Sequence, residues 1–248
     1  MHAATVRGRW FCFNGLATAL LVLLIGTLPA LGNDVEKCQR GSAIEMRIEA
    51  CTRLMTRDRN DPSALATDHF DRANAYAAKG DFEQAIADYS EAVRLAPKVA
   101  LGYHNRALAY SRKGDHARAI ADFTQALSLN PRYASAYYNR ALSHADLRQY
   151  AEAIADFTET LKLLPEAGDA YYNRGLTYAF KGEPERAIED YTQAIRLQPK
   201  NEHAYYNRGN ANFKLGNDKQ AVADYTSALE LNPQFAREIG RASCRERV

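Results

Sequence analysis

The chain is 248 residues long and carries a formal net charge of +2. Its ends supply that excess through Arg7 and Arg9 near the start and Arg241, Arg245 and Arg247 less Glu246 in the last ten residues, so residues 33–238 carry −2. A body with that balance has no basic stripe, which excludes nucleic acid as a partner and base stacking as the use of its aromatic residues.

Residues 1–32 begin with Arg7, Arg9 and no acid, run on through FCFNGLATALLVLLIGTLPALG, and close on small residues at Ala30 and Gly32. That order predicts a secretory signal peptide. The run approaches the ~20 apolar residues that span a bilayer, so an uncleaved anchor is the alternative. Asn14, Gly15, Gly26 and Pro29 interrupt it and favour cleavage. The mature chain is then expected in the periplasm or outside the cell, membrane-anchored only if the leader is kept.

Residues 33–65 read as a degenerate half copy of the unit that repeats after them. RIEACTRLM (Arg47 to Met55) aligns with AIEDYTQAI (Ala187 to Ile195), putting Ile48 and Cys51 in that unit's isoleucine and aromatic columns. A lone second helix of this kind caps the apolar edge of a helical stack. Cys38 lies 13 residues before Cys51. In an exported chain the pair predicts a disulfide rather than a metal site, with two buried thiols as the alternative.

From residue 66 the sequence repeats. Pro97, Pro131, Pro165, Pro199 and Pro233 stand 34 residues apart, which defines five copies: 66–99, 100–133, 134–167, 168–201 and 202–235. A fixed period of that size means stacked supersecondary units rather than one closed globule. Position 8 of each copy is small (Ala73, Ala107, Ala141, Gly175, Gly209), and so is position 20 (Ala85, Ala119, Ala153, Ala187, Ala221). Position 24 is aromatic (Tyr89, Phe123, Phe157, Tyr191, Tyr225) and position 30 is leucine, to fill the space between helices. Small residues let helix axes approach at the short end of the ~8–10 Å range. Apolar residues at helical spacing flank a glycine break at Gly80, Gly114 and Gly182, predicting a helix, a tight turn and an antiparallel helix.

These columns make residues 66–235 resemble the tetratricopeptide repeat family. The resemblance implies an all-α fold, a right-handed superhelical solenoid of antiparallel helix pairs. Departures are local: His144 and Asn212 at position 11, Thr160 at position 27 and Arg148 at the turn glycine, which bear mostly on packing of the third repeat. The resemblance also implies a concave groove lined by positions 2, 5, 6, 9, 12 and 13 of the first helices. Position 5 holds Phe70, His104, Tyr138, Tyr172 and Tyr206, and position 6 holds Asp71, Asn105, Asn139, Asn173 and Asn207. Tyrosine offers area and a hydroxyl, and the asparagine amide both donates and accepts, so His104–Asn105, Tyr138–Asn139, Tyr172–Asn173 and Tyr206–Asn207 suit an extended peptide. The alternative is that these residues only pack and order neighbouring helices. The lysine and arginine residues by which some family members clamp a C-terminal carboxylate are missing from positions 2, 5 and 6.

Two further columns are charged. Position 7 is Arg72, Arg106, Arg140, Arg174 and Arg208; position 23 is Asp88, Asp122, Asp156, Asp190 and Asp224. They predict a structural ladder of ion pairs, preferred over a row of arginines awaiting an acidic ligand, because bidentate pairing satisfies both partners. Catalytic chemistry is not indicated. HExxH, CxxC and GxSxG motifs and a phosphate loop are missing, and the histidines His69, His104, His116, His144 and His203 fall in five different columns. No metal, cofactor or enzyme activity is expected.

Residues 236–238 begin another repeat, and the pattern then breaks at IGRASCRERV. Residues 239–248 resemble read-through of a sequencing adapter and are expected to be foreign to the natural protein, so Cys244 is left out of the cysteine reading. The leading functional expectation is a scaffold or assembly factor binding a partner protein or peptide. A self-associating structural protein, and the targeting arm of a larger enzyme, stay open as alternatives.

Overall fold

The computed structural model describes residues 33–234; the expected leader and the expected foreign tail lie outside the described residues. The chain divides into two units, one ending at Ala96 and one beginning at Pro97. Among the described residues all regular structure is helical, and no helix is long and apolar enough to cross a membrane.

The first unit contains α1 (residues 33–40), α2 (Ile44–Asp58), α3 (Pro62–Lys79) and α4 (Phe82–Leu95). The α3 helix begins four residues before the first repeat as counted from Ala66. The cause is local: the Asp61 side chain accepts from the amides of Ser63 and Ala64, and Pro62 fits the first helical turn. The sulfurs of Cys38 and Cys51 are bonded at 2.07 Å, joining α1 to α2. Thr52, one residue after Cys51, accepts a bond from Arg72 on α3 at 3.0 Å, so α2 meets α3 as a second helix meets the next first helix.

The second unit contains α5 (Ala100–Arg112), α6 (His116–Leu129), α7 (Ala134–Asp146), α8 (Tyr150–Leu163), α9 (Gly168–Lys181), α10 (Pro184–Leu197), α11 (Glu202–Lys214) and α12 (Asp218–Leu231). Each helix packs on the next within this unit, as α2, α3 and α4 do in the first. The alanines of positions 8 and 20 are almost wholly buried, and Phe123, Phe157 and Tyr191 beside them are 0%, 0% and 1% exposed. A Cβ added at Gly175 would stand 3.0 Å from the Tyr191 ring, which shows how closely the helices meet. The leucines of position 30 fill less space than expected. They lie in the last turn of the second helices, half-buried from Leu95 to Leu197 and exposed at Leu231.

Turns between paired helices use left-handed backbone at Gly80, Gly114, Gly182 and Gly216, and at Arg148 with φ 58°. Arginine there costs about 1–2 kcal/mol relative to glycine. The other departures in the third repeat are accommodated: the buried Thr160 hydroxyl donates to the Asp156 carbonyl at 2.9 Å. The polar groups at position 11 turn to the position 23 aspartate, Asn212 at 3.1 Å from Asp224 and His144 at 4.0 Å from Asp156.

Candidate functional site

The two charged columns meet within each repeat. Arginine nitrogen to aspartate oxygen distances are 2.7 Å for Arg72–Asp88, Arg106–Asp122 and Arg140–Asp156, 2.8 Å for Arg174–Asp190 and 2.7 Å for Arg208–Asp224. The aspartates are almost fully buried and the pairing is bidentate. A further bond crosses to the preceding helix pair: Arg140 Nη1 to Thr124, Arg174 Nη1 to Thr158 and Arg208 Nη1 to Thr192, at 2.9, 3.0 and 3.1 Å. These threonines form a column at position 25 that runs through four of the five copies, with Ser90 in the first. Each of Arg106, Arg140, Arg174 and Arg208 also lies over the position 4 tyrosine three residues earlier, 5.6–5.7 Å from its ring centre. In the first repeat His69 replaces that tyrosine and reaches Asp88 at 2.9 Å. Burial works against the Asp88 charge, but the bonds from Arg72 and His69 outweigh it and hold the carboxyl below its ordinary range. With their donors so engaged, these arginines are poorly placed to receive an acidic ligand.

The tyrosine and asparagine columns meet across repeat boundaries. Asn173 donates to the Tyr138 hydroxyl at 2.9 Å, and Asn207 to the Tyr172 hydroxyl at 3.0 Å. Each ring also packs on the position 24 aromatic of its own repeat: Tyr138 on Phe157, Tyr172 on Tyr191 and Tyr206 on Tyr225, with ring centres 5.7, 6.0 and 5.7 Å apart. Burial pushes the Tyr138 and Tyr172 hydroxyls up, so both stay protonated. Asn139 turns its amide to the Ser135 carbonyl at 2.8 Å, and Asn105 is half-buried.

His104 departs from the row. It is 6% exposed, stacked on Tyr133 at 4.7 Å and edge-on to Phe123 at 5.4 Å, with its Nδ1 buried and unpartnered. Burial lowers its pKa to about 4, so the ring is neutral. The expectation that it offers a polar contact in the groove is corrected: a ring shorter than tyrosine is drawn into the aromatic cluster.

Two cavities lie beside the tyrosine–asparagine row. One of about 590 Å³ is bordered by Leu142, Asp146, Tyr150, Asn173, Leu176 and Phe180. The other, about 210 Å³, is bordered by Leu176, Phe180, Tyr191, Asn207, Asn210 and Lys214. Phe180 is shared by both and is 71% exposed. Position 9, which supplies Leu142, Leu176 and Asn210, and position 13, which supplies Phe180 and Lys214, were part of the groove that the resemblance implied, but only positions 5 and 6 were carried into named residues. No cluster of histidine, cysteine or acidic residues suited to a metal occurs among the described residues.

Family models described as tetratricopeptide repeat match residues 168–201 and 203–235, and 104–168 and 138–179; one described as TPR repeat matches 73–114. No curated protein matches the chain. Among solved structures, a crystal structure of MamA is 28% identical over 69% of this chain and 94% of its own, with a TM-score of 0.65. MamA 41-end from Desulfovibrio magneticus RS-1 is 24% identical over 70% and 97%, with a TM-score of 0.66. YrrB, described as a TPR protein with an unusual peptide-binding site, is 20% identical over 79% and 99%, with a TM-score of 0.67, and its likeness shows the fold. Period, buried columns, helix-pair packing and family models agree, and the chain belongs to the tetratricopeptide repeat family.

Proposed function

We propose that this protein is a non-catalytic scaffold that holds an extended segment of a partner protein along the row Tyr138, Tyr172, Tyr206 and its asparagines. The observation that carries this reading is the pair of cavities flanking Phe180 beside that row. Asn173 uses both amide hydrogens, on Tyr138 and on the Asp169 carbonyl. Its Oδ1 therefore serves a bound peptide as an acceptor, while the Tyr138 hydroxyl keeps a hydrogen to donate. Leu142, Leu176 and Phe180 supply apolar walls for the peptide's side chains.

The test selects peptides from a random library on the whole protein and measures their affinity by fluorescence anisotropy. Changing the exposed Phe180 to Asp should weaken binding by about ten-fold or more, the loss of roughly 1.4 kcal/mol. Equal affinity in wild type and variant would remove the reading.

Export is part of the same proposal. A leader over residues 1–32, a cap over 33–65 joined by Cys38 and Cys51, and a disulfide that suits an oxidising compartment point the same way. N-terminal sequencing of the mature protein should begin near Asn33; an intact leader would leave the anchored form.

A further inference from the structure

Position 3 of the repeat is a column of minimal side chains: Gly102, Ala136, Ala170 and Ala204, all buried. In the first repeat the place is taken by Asp68 on α3, which is 6% exposed and has an Oδ2 without a hydrogen-bond partner. The charges around it are mostly of its own sign. Asp58 at the end of α2 acts on it, with Arg57 of α2 opposing, and Asp71 adds to it from α3. Asp71 is itself an acid where the other copies carry asparagine. On α1, Asp34 is bound to Arg53; on α4, Asp88 is bound to Arg72 and His69. Arg57 is committed to Asp58. Burial first, then the Asp58 charge, push the Asp68 carboxyl up to about 7.

The cap that meets α3 has its own closure. The disulfide ties α1 to α2 without using α3, and the Arg53–Asp34 pair spans the same two helices. Across to α3 run the Arg72–Thr52 bond, a side-chain hydrogen bond between Gln39 of α1 and Asp71, whose carboxyl burial pushes up, and a Lys79–Glu45 pair at 3.6 Å, whose exposed charges hold weakly.

We propose that Asp68 makes the docking of the stapled cap, α1 and α2, onto α3 dependent on pH: tight while the buried carboxyl keeps its proton, loosened once it is lost. The side-chain hydrogen bond between Asp68 and Asp58 of α2 needs a proton on one of the two carboxyls, and once both are ionised Asp68 is a buried carboxylate without a donor, which such a site does not tolerate. It either takes up a proton or the contact opens to water. Because the disulfide holds α1 on α2, the contact that opens is the one between α2 and α3. The sign follows from the direction of the shift. With the docked value near 7 and the free value at 3.8, docking is strongest below 3.8, weakens as pH rises, and levels off above about 7.

Hydrogen exchange on the whole protein, with rates corrected for their intrinsic pH dependence, tests this between pH 4.5 and 8.5. Protection of residues 44–79 in the wild type should fall by about ten-fold per pH unit up to about 7 and then flatten. Asp68→Ala, which restores the residue type of Ala136 and Ala170, should remove the slope and keep these residues protected throughout. Asp68→Asn, neutral and of the same size, should behave likewise. A flat wild-type profile, or a slope that persists in both variants, would overturn the proposal. A direct reading comes from the Asp68 carboxyl carbon resonance: a midpoint near 7 supports the latch, and one near 4 ends it.

Discussion

Asn173 donates one amide hydrogen to the Tyr138 hydroxyl at 2.9 Å and the other to the Asp169 carbonyl at 2.8 Å, so a side chain of the fourth repeat is fixed from both the third and its own helix. The bond is neutral and half-buried, a class worth about 1 kcal/mol. Asn173→Ala and Tyr138→Phe should each lower stability by about that amount in urea denaturation. The double variant should lose less than the sum, because both remove one bond. Additive losses would show that the two residues act separately.

The Arg140–Asp156 pair predicts a larger and asymmetric effect. Asp156 is 5% exposed, and Arg140 supplies two bonds to it at 2.7 Å. Arg140→Met strands the carboxylate in the core and should cost about 3–5 kcal/mol. Arg140→Met combined with Asp156→Leu removes both charges and should recover most of that loss. If the double variant is no more stable than the single one, the pair stabilises by attraction rather than by mutual neutralisation.

Much of this architecture was legible because repetition turns each residue into a column. One arginine and one aspartate sixteen residues apart say little; five such pairs at fixed positions say that they meet. What columns conceal is the exception. His104 stands in the tyrosine column, yet the smaller ring sinks against Tyr133 and Phe123. Asp68 stands in an alanine column, where the mismatch was visible in the sequence but its burial was not. The start of α3 at Pro62 was written in Asp61-Pro62, a local capping signal that a count from Ala66 overrode. The cavities around Phe180 depend on how neighbouring first helices splay, which no single column records.

His104 predicts acid sensitivity in the second unit. Burial holds its pKa at about 4, against 6.5 for a free histidine. Between pH 6.5 and 4 the unfolded chain takes up a proton that the folded ring refuses, so stability falls as pH falls, with the full loss reached below about 4. The shift corresponds to roughly 3 kcal/mol at most. His104→Tyr restores the column residue and should flatten that limb in thermal melts taken from pH 7 to 4. Equal slopes for wild type and variant would place the acid sensitivity elsewhere.

Reduction of the Cys38–Cys51 disulfide should weaken the first unit and spare the second. Both sulfurs are buried, in a small cluster with Ala50 and Leu54. The other ties of α1 are few: the Arg53–Asp34 pair is exposed on the arginine side, Arg47 reaches the Cys38 carbonyl at 3.2 Å, and Gln39 shares a hydrogen bond with Asp71 of α3. A crosslink closing a loop of this length contributes up to ~3 kcal/mol by restricting the unfolded chain, far more than an exposed ion pair. Limited proteolysis of the whole protein with and without reductant checks this. Cleavage should appear first between residues 33 and 60 in the reduced form, while α9 and α10 stay intact. Replacing both cysteines by alanine should reproduce the pattern without reductant, because the crosslink rather than the sulfur atoms confers the protection. Cleavage at the same rate in both redox states would mean that packing alone, chiefly Leu54 and Ala50, keeps the cap folded.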